Sequence, residues 1–245
     1  MLDVHPPHAP THTWRDFLIH IATICVGLLI AIALEQSVEA LHHHHQREEL
    51  IADFRGECQR NIDIVDRDIA ALRRDRDWER SWLATLLKSS QDPGLVSLTL
   101  PSRTPSMQLQ GPSGAVWTIA KSNTKAALLP ENLSEIYDRV EHENDQAYRK
   151  SDVATDALVQ LTDMARADGF TFDPLQASGP LPVTLSFTQR TALIATLSHL
   201  IGATNNCIRW MSILKGASEA VLHNVSSRDA MMPYIQKMLP QSDFQ

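Results

Sequence analysis

The chain has 245 residues and a formal charge of −7, so it carries no basic surplus with which to displace the counterions of a nucleic acid. Nine glycines and 6% aromatic residues disfavour a large sheet protein and suit helices. Three cysteines, with no CxxC and no Cys/His zinc spacing, make neither a disulfide framework nor a zinc finger; Cys58 and Cys207 are the only pair outside the apolar segment that holds Cys25.

Residues 1–13 mix three prolines with three histidines and are expected to be a disordered tail. Next comes FLIHIATICVGLLIAIAL, Phe17 to Leu34, bounded by Asp16 and Glu35. Eighteen residues rising ~1.5 Å each give ~27 Å, enough for the hydrocarbon core of a bilayer. His20 lies near one end, within reach of headgroups, and Trp14 sits one turn outside, where interfacial aromatics belong. The segment 14–36 therefore reads as a transmembrane helix. Ala31-Ile32-Ala33 also fits a signal-peptide cleavage pattern, but the preceding region has only Arg15 and the amino terminus against Asp3 and Asp16. A buried core helix fits poorly, because Ile21 to Leu34 has no polar face. Arg47 is the only basic residue in the fifteen after the segment, so Arg15 and the amino terminus place the N-terminus in the cytoplasm and the remainder outside.

Prolines are missing from Thr11 to Asp92, Glu131 to Asp173 and Val183 to Met232, and crowd into 93–112 and 174–182. Because proline breaks helix interiors, the free stretches are the helix candidates. In the first, apolar residues fall at Ile51, Phe54, Cys58, Ile62, Val65, Ile69 and Leu72, then Trp78, Trp82 and Leu86. In the second they fall at Leu133, Ile136, Val140, Ala147, Val153, Leu158 and Leu161. In the third they fall at Leu193, Leu197, Leu200, Cys207, Met211, Leu214, Val221 and Val225. Steps of three and four mark amphipathic helices or coiled-coil seams. The expected fold is all-α: the membrane helix continues into a first long helix over 37–92, with a linker at 93–114. A short helix carrying Trp117 and a second long helix fill 115–170. A second linker covers 171–185, and a third long helix with a C-terminal tail covers 186–245. Three such helices pack as an up-down bundle. Leu95 to Leu100 and Leu181 to Leu185 read as a possible β-ribbon. Ser186 with Gln189 suggests a capping box for the third helix, and Gly169 a stop for the second. The mixed charges Arg73-Arg74-Asp75-Arg76-Asp77 read as a solvated helix surface.

The histidine run His42-His43-His44-His45 is the main candidate for chemistry. On a helix His42 and His45 share a face, flanked by Glu39 and Glu49, and imidazole with carboxylate at such spacing suits Zn²⁺ or another transition metal. Imidazoles near a bilayer can also sense pH. The alternative is a polar collar around a helix leaving the membrane. Two Ser-x-x-Lys matches, at Ser122 and Ser212, lack the partner motifs of penicillin-recognising enzymes, and no hydrolase, Walker or dinucleotide fingerprint is present. His142 is expected to face water, and His199 to sit in the core. No catalytic residue and no bound cofactor are expected.

Residues 27–61, GLLIAIALEQSVEALHHHHQREELIADFRGECQRN, resemble a group of uncharacterised bacterial single-pass inner-membrane proteins. Their apolar helix ends in Gly-x-Leu-Ile-Ala-Leu, followed by a Glu-Gln or Asn-Asn pair, a histidine-containing juncture and Leu-x-x-Glu-x-x-x-Asn. Gly27, Ala31, Glu35, Gln36, Glu39, His42, His43, His45, Glu57 and Asn61 carry the likeness; Trp117 and Tyr137 extend it weakly. It implies a membrane-anchored helical protein and brings no known activity. The expected role is non-enzymatic helix–helix interaction or scaffolding, with the lipid bilayer and a second copy or another membrane protein as partners. Gly27 and Ala31 are a small-xxx-small pair for packing within the membrane. The competing role is a proton or metal sensor at the histidines.

Overall fold

The computed structural model describes residues 14–100, 107–169 and 181–239; the N-terminal tail, residues 101–106 of the first linker, residues 171–180 of the second and the end of the C-terminal tail lie outside that range. The elements are α1 (Trp14–Leu87), β1 (Val96–Leu100), α2 (Ala115–Ser122), a 3-10 turn (Lys125–Leu128), α3 (Glu131–Ala167), β2 (Leu181–Leu185), α4 (Phe187–Leu222) and α5 (Arg228–Met238). The architecture is all-α with one two-stranded ribbon, as the periodicity predicts. The chain forms two compact units, one up to Glu49 and one from Leu50 onward.

The described part of the first unit is helix throughout, the N-terminal portion of α1. It contains a stretch long and apolar enough to cross a membrane, and none of that window is buried.

The second unit is built on the rest of α1 together with α3 and α4. Phe54, Cys58, Val65, Leu72 and Trp82 of α1 are buried, as are Leu193, Leu197, Leu200 and Leu214 of α4. Side-chain bonds set the directions. Arg55 of α1 donates to Asn224 Oδ1 (2.7 Å) and Leu222 O (2.9 Å), Lys215 bonds Asp66, and Thr204 bonds Glu79, so α4 runs antiparallel to α1. Gln189 Nε2 donates to Asp168 Oδ1 (3.0 Å) and Thr196 reaches Met164, so α4 is also antiparallel to α3. Two long helices that follow one another, α1 and α3, are thus parallel, and the chain between them must return along the bundle. The segment 107–114 makes that return.

The expected punctuation is present. Ser186 accepts from Gln189 N while Gln189 caps the Ser186 amide, and Gly169 (φ +83°) follows the end of α3. β1 pairs antiparallel with β2, Val96 opposite Leu185 and Leu100 opposite Leu181. Beneath the ribbon, the buried Arg190 guanidinium donates to the carbonyls of Gly94 (3.0 Å), Leu185 (2.7 Å) and Asp92. A charge too costly to bury bare is held there by three backbone oxygens.

Several expectations are corrected. The third long helix stops at Leu222; Asn224 turns the chain at φ 57°, and Ser227 caps a separate α5 that continues through Pro233. The short helix breaks at Thr124 (φ 64°) into α2 and the 3-10 turn. Val153 points outward, and α3 packs through Ala147, Ala154, Ala157 and Ala165, whose small side chains let helices approach closely. His199 is exposed, not in the core, whereas His142 faces water as expected. Asp75 and Arg76 are buried, so the charge run is not wholly a solvated surface.

Candidate functional site

Both units carry polar clusters, and their geometry separates what each can do. In the first unit His42, His43, His44 and His45 are all exposed. His42 Nε2 pairs with Gln46 Nε2 (3.0 Å), and Arg47 Nη2 stands 3.0 Å from His44 Nδ1. Arginine can only donate, so this second pairing requires an unprotonated Nδ1 on His44. Glu39, His42, His45 and Glu49 spread over eleven residues of one helix, ~15 Å from end to end, whereas a zinc ion binds atoms at ~2 Å. Among the described residues no three His, Cys, Asp or Glu form a group able to hold a metal ion. The four named ligands therefore do not close a site within one chain. Gly27 and Ala31 are exposed, and a Cβ added at Gly27 would meet nothing within 4 Å.

The second unit holds a ladder. Asn61, Asp68 and Asp75 recur every seven residues on α1, ~10.5 Å apart, which is about three residues of extended chain. The segment starting at Met107 lies against them in the opposite direction. Met107 N donates to Asp75 Oδ2 (3.2 Å), and Gln110 N and Gly111 N donate to the two oxygens of Asp68 (3.1 Å each). Ser113 N donates to Asn61 Oδ1 (2.8 Å), and Asn61 Nδ2 returns a bond to Ser113 O (2.6 Å). At the far end Glu57 Oε1 accepts from Ser113 Oγ (2.8 Å) and Val116 N (3.3 Å), leading into α2. An extended segment between helices has no strand partner for its amides, so these side chains supply the acceptors. Gly111 takes φ +70° with the Tyr148 ring 3.1 Å from where its Cβ would be, so a larger residue there would be strained and would press on Tyr148. Tyr148 Oη donates to Pro112 O.

Next to the ladder, Phe54 stacks on Tyr137 (centroids 3.8 Å apart) and Trp117 meets Tyr137 edge-on at 5.3 Å. Trp117 Nε1 donates to Asp138 Oδ1 (2.7 Å), which docks α2 on α3. Burial pushes the Tyr137 hydroxyl and the Cys58 and Cys207 thiols each up to about 12, the thiolate of Cys58 being further disfavoured by Glu57 and that of Cys207 by Asp68. Both thiols are free and protonated, inert as nucleophiles. They are not paired: Cys58 lies beside Ser218, eleven residues along α4 from Cys207.

Two other carboxyls are wholly buried. Glu79 accepts from Thr204 Oγ1 (3.1 Å), and burial lifts it to about 7, with Asp75 adding to the shift and Arg76 and Arg80 opposing it. Burial also raises Glu143, against the pull of Arg139, its ion-pair partner one turn earlier. A carboxyl near neutrality is a general-acid feature when it faces a substrate cleft. Glu79 instead faces a threonine between two packed helices, and the ladder oxygens are engaged by backbone amides. Their chemistry is that of holding chain segments together.

Sequence reasoning missed the ladder. Its signal was present as polar residues at a fixed seven-residue interval beside the apolar seam. No family model, curated protein or solved structure matches the chain.

Proposed function

We propose that this is a bacterial inner-membrane protein, anchored by Phe17–Leu34, that works through helix–helix association and not through catalysis. The observation that carries the reading is the uncovered apolar run of the first unit. Leu28, Leu29, Ile30 and Leu34 are each more than half exposed, a surface that water does not tolerate and a bilayer does. The second unit supports it differently: its buried acids serve as internal clips. Gly27 and Ala31 offer a close-approach face within the anchor. The amino terminus lies in the cytoplasm and the helical unit in the periplasm, by the balance of Arg15 against Arg47.

The test is a pair of C-terminal fusions, to alkaline phosphatase and to green fluorescent protein, with membrane fractions run on a gel. Full-length, membrane-bound product with phosphatase activity is the expected result. Fluorescence without phosphatase activity reverses the orientation, and a chain that leaves the membrane fraction in high salt or carbonate overturns the anchor. Chemical cross-linking in intact membranes should give products of more than one chain; monomer alone removes the association.

A further inference from the structure

The apolar face of the anchor does not end with the membrane segment. Gly27, Ala31, Leu34, Val38, Leu41 and His45 recur at alternating steps of four and three, the spacing of a coiled-coil seam. Val38 and Leu41 lie ~6 and ~10 Å beyond Leu34 along the helix, past the apolar run and among Glu35, Glu39 and the histidines. They are 68% and 69% exposed. Lipid covers the residues up to Leu34; nothing in the first unit covers these two.

We propose that residues 27–45 form a parallel, in-register two-stranded coiled coil with a second copy of this chain, beginning inside the bilayer and continuing into water. The inference rests on the membrane-anchored reading and names its partner. In heptad terms Ala31, Val38 and His45 take a positions, and Gly27, Leu34 and Leu41 take d positions. A β-branched residue at a with leucine at d favours two parallel strands over three or four. Two copies anchored in one bilayer with one orientation present this seam at the same depth, so the register needs no further specification. Gly27 has nothing within its own chain to explain the missing side chain, and in the pair it lets the helices approach.

The experiment uses the full chain in isolated membranes, with Cys25→Ser as background and one new cysteine at a time. Val38→Cys and Leu41→Cys lie on the seam; Ala40→Cys and His43→Cys lie off it. All four positions are exposed, so none threatens folding. On oxidation with copper phenanthroline, Val38→Cys and Leu41→Cys should give a product of twice the chain mass, roughly tenfold more than the off-seam pair, since a disulfide needs Cα atoms within about 7 Å. Equal yields at all four positions, no product at 38 and 41, or a product of a different mass overturns the proposal. If general cross-linking still gives multimers, the anchored, associating reading survives that failure. If the chain is not in the membrane fraction, both fall.

Discussion

The helix α1 passes through two settings, and its polar residues behave differently in each. Up to Glu49 they bond within a turn: Thr23 Oγ1 to Ile19 O (2.9 Å), Ser37 Oγ to Ala33 O (2.7 Å) and Gln46 to His42. From Glu57 onward the buried ones reach across the unit, Asn61 to Ser113 and Asp68 to Gly111, while exposed ones such as Arg67 and Thr85 still bond within a turn. The residue types barely differ, since Glu48 is exposed and Glu57 is buried. What separates them is whether another part of the chain needs acceptors. The first stretch leaves its apolar surface to its surroundings, and the second buries an apolar face and pairs Glu57, Asn61, Asp68, Asp75 and Glu79 with other parts of its unit.

The sharpest way to break this contrast is Asp68→Ala. It strands two backbone amides under a residue that is 2% exposed, each having lost a charged acceptor. A destabilisation of about 3 kcal/mol is expected: a buried donor left unpaired costs about 1–3 kcal/mol, and these two amides belong to an exposed Gln110 and a half-buried Gly111. Ser37→Ala, which removes one local exposed bond, should change stability by less than about 0.5 kcal/mol. Urea unfolding of the full chain in detergent micelles, followed by tryptophan fluorescence, measures both. Similar small effects at the two sites would show that the ladder is not what holds the returning segment.

Glu79 sharpens the comparison through pH. Its carboxyl titrates at about 7 when folded and near the ordinary 4.5 when unfolded, so the folded state binds the proton more tightly. That contribution is complete below about pH 4.5 and is lost as pH rises through 7. Stability should therefore fall between those values by up to about 3 kcal/mol from this group alone. Glu79→Gln mimics the protonated form and should flatten that fall, leaving the variant more stable than the parent at pH 8. An unchanged pH profile would mean that water reaches the Glu79 carboxylate.

The long helices, their apolar seams and the caps at Ser186 and Gly169 were legible because each is a local or periodic property of the chain. The ladder was not, because which acid is buried depends on where residues 107–116 come to lie. Asp75 and Arg76 looked like surface for the same reason. The end of α4 was missed through reliance on proline: α5 tolerates Pro233, and the break is made by Asn224 in a left-handed turn clamped by Arg55. His199 was misplaced because an apolar stretch of helix still has an outer face. Of the candidate site, the seven-residue spacing was readable and its partner segment was not.

Glycines give the finest test, since each asks only whether a neighbour is present. A Cβ at Gly216 would stand 2.6 Å from Ile235 Cα and 2.8 Å from Tyr234 O, backbone atoms that cannot swing away. Gly216→Ala should therefore push α5 off α4 and cost about 2 kcal/mol, within the range for overpacking. At Gly202, on the same helix, an added Cβ meets nothing within 4 Å. Gly202→Ala should stabilise by up to about 1 kcal/mol through helix propensity alone. Gly27 also has open space around it, so Gly27→Ile should leave the unfolding of the single chain unchanged. Its effect should appear in chemical cross-linking within membranes, where a fall in the dimer marks a neighbour supplied from outside the chain. Undiminished cross-linking in Gly27→Ile would place the contact on another face of the anchor and leave Gly27 without a role.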